Sequence, residues 1–164
     1  MDRPLMSEGN IPPADAFPEG LKLRQALPSD AAAIHALMRP FVAQRKLLSR
    51  TEAEIIELSR HGFVAVVGEQ ESAMRCVGFS AVEVYSTKLA ELMCLAVHPD
   101  YQRFGVGRRL VKLCTDRARD LGVMEVMAIS ASETFLQSCG FDFSLPDQKK
   151  ALFMQLRPRP YEQW

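Results

Sequence analysis

Residues 89–121 read LAELMCLAVHPDYQRFGVGRRLVKLCTDRARDL, and this stretch decides the fold. Leu92-Met93-Cys94-Leu95-Ala96-Val97 is apolar without polar alternation, which predicts a strand covered on both faces and central in a sheet. Gln102-Arg103-Phe104-Gly105-Val106-Gly107 follows as a tight turn. Beyond it, Val106, Leu110, Leu113 and Cys114 recur at helical spacing. A strand, a glycine turn and a helix start bring unpaired backbone N–H groups and the positive end of the helix dipole to one point, a ready site for phosphate. Arg108 and Arg109 add positive charge.

The chain has 164 residues, 48% of them hydrophobic, with 20 Lys plus Arg balancing 20 Asp plus Glu. That length suits one compact domain, and zero net charge implies neither a nucleic-acid nor an anionic-membrane partner. Cys76, Cys94, Cys114 and Cys139 have no metal-ligand spacing, and His35, His61 and His98 form no cluster, so no metal site is expected. Reduced buried thiols and the lack of a signal peptide or membrane-length apolar run predict a cytoplasmic protein.

Residues 1–20 carry Pro4, Pro12, Pro13 and Pro18 and have the composition of a disordered tail. Residues 21–164 then read as a single domain. Leu21–Leu27 alternates as a strand, and Ser29 or Asp30 caps a helix through Ile34, Leu37 and Met38. Pro40 predicts a break or kink near Arg39. Ser49 or Thr51 opens a second helix that stops at Gly62. A hairpin over Phe63–Val67 and Val77–Tyr85 leads to the opening stretch. Val123–Ser130 reads as a strand and Ser132–Cys139 as a short helix closed by Gly140. Two last strands are expected near Phe141–Ser144 and Leu152–Leu156. The order β-α-α-β-β-β-α-β-α-β-β argues a mixed α/β or α+β sheet of six to seven strands flanked by about four helices.

The loop is neither the dinucleotide fingerprint, which needs a third glycine, nor a Walker loop, which needs Gly-Lys-Ser/Thr. Gln102-Arg103-Phe104-Gly105-Val106-Gly107 instead resembles the Gln/Arg-x-x-Gly-x-Gly/Ala motif of the GNAT superfamily of N-acetyltransferases, and the element order resembles that family over residues 21–157. The resemblance implies acetyl-CoA as donor, its pyrophosphate on the N–H groups from Gln102 through Arg103, Phe104, Gly105, Val106 and Gly107 to Arg108. It also implies that the pantetheine arm pairs with the strand edge at Leu95, Ala96 and Val97. Within the family, Ala90-Glu91-Leu92-Met93-Cys94-Leu95-Ala96-Val97-His98-Pro99 is similar to the acetyltransferase domain of N-acetylglutamate synthases. Leu37-Met38-Arg39-Pro40, followed by the stretch Arg45-Lys46-Leu47-Leu48, resembles that group's glutamate-binding region, and so does Leu145-Pro146-Asp147 with Lys149 and Lys150. The amino-acid-kinase-like domain of many full-length synthases has no counterpart here. Feedback control by arginine through it is therefore not expected.

Each candidate residue has a functional and a structural reading. Glu91 is a general base for the incoming ammonium or a solvated strand acid; an amine attacks only when deprotonated, so a base is required. Ser130 is the acid that protonates the CoA thiolate or a helix cap. Leu136 stands where many relatives place a tyrosine acid, which favours the serine. Arg39 binds an acceptor carboxylate through its fork of donors or is a surface arginine. Cys94 packs in the strand, its backbone N–H being the group of interest for the acceptor or the thioester oxygen. Arg157 is the second carboxylate-binding candidate, with Arg159 competing. The expected partner is a small-molecule acceptor, glutamate favoured, with a homodimer as the candidate assembly. Another amine acceptor and a non-catalytic acyl-CoA sensor are the competing functions.

Overall fold

A computed structural model describes residues 17–70, 73–130 and 132–143, together with Met154 and Leu156. Five strands are present among them: β1 (Leu21–Gln25), β2 (Gly62–Val67), β3 (Arg75–Val84), β4 (Leu89–Val97) and β5 (Glu125–Ala128). They form one sheet in the order β1-β2-β3-β4-β5. The first four are antiparallel neighbours, and β5 joins β4 in parallel. Parallel pairing needs a crossover, supplied here by α3 (Val106–Asp120). The fold is α+β with a mixed sheet, as the element order implies.

The helices cover both faces. On one face α1 (Ala31–Ala43) and α2 (Glu52–Ser59) bury Ile34, Leu37, Met38 and Ile55 against Val64, Val66, Phe79, Ala81 and Ala96. On the other, α3 and α4 (Glu133–Ser138) bury Val106, Leu110, Val111, Cys114 and Leu136 against Ala65, Val77, Val82, Leu92 and Val97. Phe79 and Ile34 are fully buried, and burial of a side chain of that size contributes about 2–3 kcal/mol.

Local chemistry explains the boundaries. Thr51 caps α2: its hydroxyl accepts the Glu54 N–H at 3.2 Å while Glu54 takes the Thr51 N–H at 2.7 Å. Ahead of α1, Asp30 accepts the Leu27 N–H at 2.7 Å and two bonds from Arg24 at 2.7 and 2.9 Å. The kink predicted at Pro40 is not the end of α1, which runs on to Ala43. Pro40 and the residue four before it, Ala36, are both exposed, so the carbonyl that Pro40 leaves unpaired faces water rather than the core.

Among the described residues the sheet has five strands, where six to seven were expected. Phe141–Phe143 are irregular because their N–H groups bond locally. Phe141 donates to the Leu136 carbonyl at 3.1 Å, closing α4, and Phe143 donates to the Asp142 side chain at 2.8 Å. Met154 and Leu156 lie outside any strand, each 84% exposed. The remainder of the last expected strand, along with Leu145-Pro146-Asp147, Lys149, Lys150, Arg157 and Arg159, lies outside the described residues. So does most of the expected tail; its last residues form a turn in which the Leu21 N–H bonds the Pro18 carbonyl at 3.0 Å. No described helix is long and apolar enough to cross a membrane.

Candidate active site

The site begins with a bulge in β4. Ala90 and Leu92 pack on the α3 face, whereas Cys94 and Ala96 pack on the α1/α2 face. Side chains of a strand alternate with a period of two, so one residue has been inserted between Leu92 and Ala96. The register shows it: Ala81 pairs with Met93 but Phe79 with Ala96. Cys94 absorbs the insertion at φ 56°, a left-handed conformation that costs a non-glycine residue about 1–2 kcal/mol. A buried hydroxyl holds the bulge, Ser80 Oγ donating to the Met93 carbonyl at 3.1 Å. The lack of polar alternation in the sequence therefore has two causes, coverage of both faces and this change of phase.

The bulge coincides with the parting of β4 and β5. Leu89–Leu92 pair with Glu125–Ala128, and beyond Leu92 the pairing stops. Leu95, Ala96 and Val97 consequently keep β3 on one side and lack a ladder partner on the other among the described residues. An extended amide chain fits such an edge by strand addition.

At the end of β4, Pro99–Phe104 form a 3-10 turn that delivers the chain to α3. Gly105 sits at φ 74°, the left-handed conformation that glycine adopts freely. Gly107 has another reason: a Cβ there would lie 3.4 Å from the Phe135 ring and 3.6 Å from Val97 Cγ2, so α3 begins in close contact with β4 and α4. The first intrahelical bond runs from the Arg109 N–H to the Gly105 carbonyl at 3.0 Å. The N–H groups of Val106, Gly107 and Arg108 thus sit in the first turn, without intrahelical partners. Two of the side chains around them are occupied. Gln102 Nε2 donates to the Val97 carbonyl at 3.0 Å, and the Arg108 guanidinium donates to the Ser138 carbonyl and hydroxyl at 2.5 and 3.0 Å. What the loop offers an anion is backbone, as the motif implies, and those two side chains brace it.

Glu91 lies within β4, between Glu83 of β3 and Met127 of β5. Its neighbours Ala90 and Leu92 face α3, so Glu91 points to the α1/α2 face, as Glu83 opposite it does. Two like charges directly across a ladder destabilise a sheet. Tyr85 answers this locally, its hydroxyl donating to Glu91 Oε2 at 2.5 Å. Burial first, then this bond and the Glu91 charge, push the phenol well above its ordinary range. The Cys94 thiol, pushed up to about 11 chiefly by burial, stays protonated at neutral pH and is no nucleophile, in keeping with a packing role. Ser130 stands exposed just past β5 and accepts the Ser132 N–H at 2.9 Å. Accepting that bond leaves its own proton for donation. Leu136 is core, 7% exposed beneath α3.

Also on the α1/α2 face is a cavity of about 580 Å³ between the second half of α1 and the segment before α2, lined among others by His35, Arg39, Arg45, Ser49 and Arg50. Arg39 was legible in the sequence, and so was Arg45 at the head of the Arg-Lys-Leu-Leu stretch; Arg50 was not singled out there. Arg45 turns the chain at φ 56°. Arg50 pairs with Glu54 at 3.6 Å, and its charge and hydrogen bonding act on Cys94 and its charge on Tyr85. The arginine cavity, the bulge and Glu91 therefore belong to one face. No group of metal-binding side chains occurs among the described residues.

Comparison with known proteins agrees with this geometry. A family model described as acetyltransferase (GNAT) family matches residues 31–141. An uncharacterized N-acetyltransferase of Chlorobaculum tepidum is 31% identical over 119 residues, covering 73% of this chain and 74% of its own. An amino-acid acetyltransferase of Pasteurella multocida is 28% identical over 135 residues, 78% of this chain but 29% of that protein. Among solved structures, Rv2747 from Mycobacterium tuberculosis in complex with CoA and NLQ superposes with TM-score 0.64 at 26% identity, covering 73% of this chain and 70% of that one. N-acetylglutamate synthase from Neisseria gonorrhoeae, complexed with coenzyme A and N-acetyl-glutamate, gives 0.62 at 28% identity, covering 72% and 27%. The chain thus spans less than a third of the length of the amino-acid acetyltransferase and the synthase it matches.

Proposed function

The chain belongs to the acetyltransferase (GNAT) family, and from that premise we propose that it transfers the acetyl group of acetyl-CoA to the α-amine of a small amino acid, glutamate favoured. The observation that carries this reading is the arginine-lined cavity on the face of the sheet toward which Glu91 points. Arginine forks bind carboxylates bidentately, and an amino-acid acceptor brings at least one carboxylate to the same place as its amine. The relatives named amino-acid acetyltransferase and N-acetylglutamate synthase support it.

In this reading the N–H groups of Val106, Gly107 and Arg108 hold the pyrophosphate, and the edge at Leu95, Ala96 and Val97 takes the pantetheine amides. The donor supplies an acetyl thioester. The chain's own part is to bring the acceptor amine beside it and to move two protons. Glu91 takes the proton that the acceptor ammonium loses, and the Ser130 hydroxyl delivers the one that the departing sulfur gains. Arg39 holds the acceptor carboxylate beside the Cys94 bulge. Arg157 is proposed as a second carboxylate ligand.

The Glu83–Glu91 pair supports a second reading, a cationic amine acceptor. Measuring CoA release across acidic, neutral and basic amino acids and polyamines separates them. Acidic amino acids should give the highest kcat/KM, and Arg39→Ala should raise KM for them about ten-fold while sparing cationic amines. Equal release with or without every acidic amino acid would sink the glutamate reading. Acetyl-CoA binding with no acceptor-dependent release would mark a sensor.

A further inference from the structure

We propose that Tyr85 is a positioning residue of the transfer site, its hydroxyl fixing the Glu91 carboxylate on the face that carries the arginine cavity. The inference rests on the reading of Glu91 as proton acceptor and adds the group that aims it.

The hairpin turn sets Tyr85. Its N–H and that of Ser86 both bond the Leu89 carbonyl at 3.1 Å, so the residue just past β3 is anchored beside the start of β4. The residue as a whole is 51% exposed, but its hydroxyl end is desolvated and donates to Glu91 at 2.5 Å. The charged groups around Glu91 say what that bond does. Glu83 of β3 stands directly opposite and repels it; β5 brings Met127, which has no charge; from the start of α2 and the segment before it come Arg50 and its partner Glu54. Facing Glu83, an ionised Glu91 is driven out of line, and a neutral donor on one oxygen restrains it. Because the phenol is held far above its ordinary ionisation range, Tyr85 remains a donor wherever Glu91 works. One carboxylate oxygen is held and the other is left to accept a proton. Arg50, which lines the cavity and whose charge acts on Tyr85, ties this pair to the place where the acceptor carboxylate is proposed to bind.

Tyr85→Phe keeps the ring and removes the donor. Acceptor kcat/KM should fall about ten-fold, with acetyl-CoA affinity by calorimetry unchanged. The loss should fall on kcat, with acceptor KM little changed, because the base is mis-aimed while the acceptor still binds. On a Glu91→Gln background the substitution should add nothing, because Tyr85 acts through Glu91. An unchanged kcat in Tyr85→Phe, or an equal loss on both backgrounds, would overturn the proposal while a strongly impaired Glu91→Gln still upheld the base. A fully active Glu91→Gln would overturn the base and, with it, this role for Tyr85.

Discussion

The two halves of β4 are one strand under two regimes. Ala90–Leu92 have ladder partners on both sides, Glu83 and Met127 flanking Glu91. Among the described residues, Met93–Val97 have ladder partners in β3 alone, a left-handed residue at Cys94, and a carbonyl at Met93 satisfied by a buried serine. The closed half can fix a charged side chain because its backbone is clamped from both directions. The open half can offer backbone to a ligand because β5 has left. The bulge between them is more than a defect of pairing. It changes the phase of the strand and so puts Glu91 and Cys94, three residues apart, on the same face.

Substitutions can break this division of labour. The largest effect should come from the closed half. Glu91→Gln should lower acceptor kcat/KM by about 10²–10⁴-fold, the usual range for losing a general base, with acetyl-CoA affinity by calorimetry unaltered.

Next comes pH in the open half. The Cys94 thiol is raised from 9.0 to about 11 in the folded protein, so the unfolded chain ionises first. Its stabilising contribution is complete below pH 9 and is lost as pH climbs toward 11, on the order of 2–3 kcal/mol for a shift of this size. Urea unfolding across pH 8–11 should show a shallower alkaline decline in Cys94→Ala than in the wild type; parallel declines would remove the thiol from the account.

Ser80→Ala tests the brace. Leaving the Met93 carbonyl without its donor should cost about 1–3 kcal/mol in unfolding free energy and raise KM for acetyl-CoA. Gly105→Val should have the smallest effect. A β-branched residue at φ 74° costs about 1–2 kcal/mol, and acetyl-CoA affinity should weaken about ten-fold with little change in acceptor KM.

The legibility of these features follows their range. Thr51 and Glu54 are three residues apart, and their reciprocal cap was open to reading from order alone. Of the break or kink expected at Pro40 the break does not occur, because whether an unpaired carbonyl ends a helix depends on whether it faces water, and that is a property of packing. Tyr85 was within reach: a hairpin into β4 brings it alongside Glu91, and a phenol six residues before a candidate base was a usable signal. Arg50 joins the Cys94 bulge, and Arg45 joins Arg50 in the cavity, only through the packing of α1 and α2 on the sheet. Forty-odd residues separate them from that strand in the chain.

By itself the sequence determined a strand, a glycine turn and a helix at residues 89–121, because backbone geometry and hydrophobic period are local. It also determined the family that goes with them. Tertiary structure alone decided where β5 leaves β4, which residue takes the bulge, and that three arginines, a tyrosine and two glutamates share a face. A bulge without glycine leaves no mark in composition, and the face a side chain takes is fixed by the register of strands far apart in the chain.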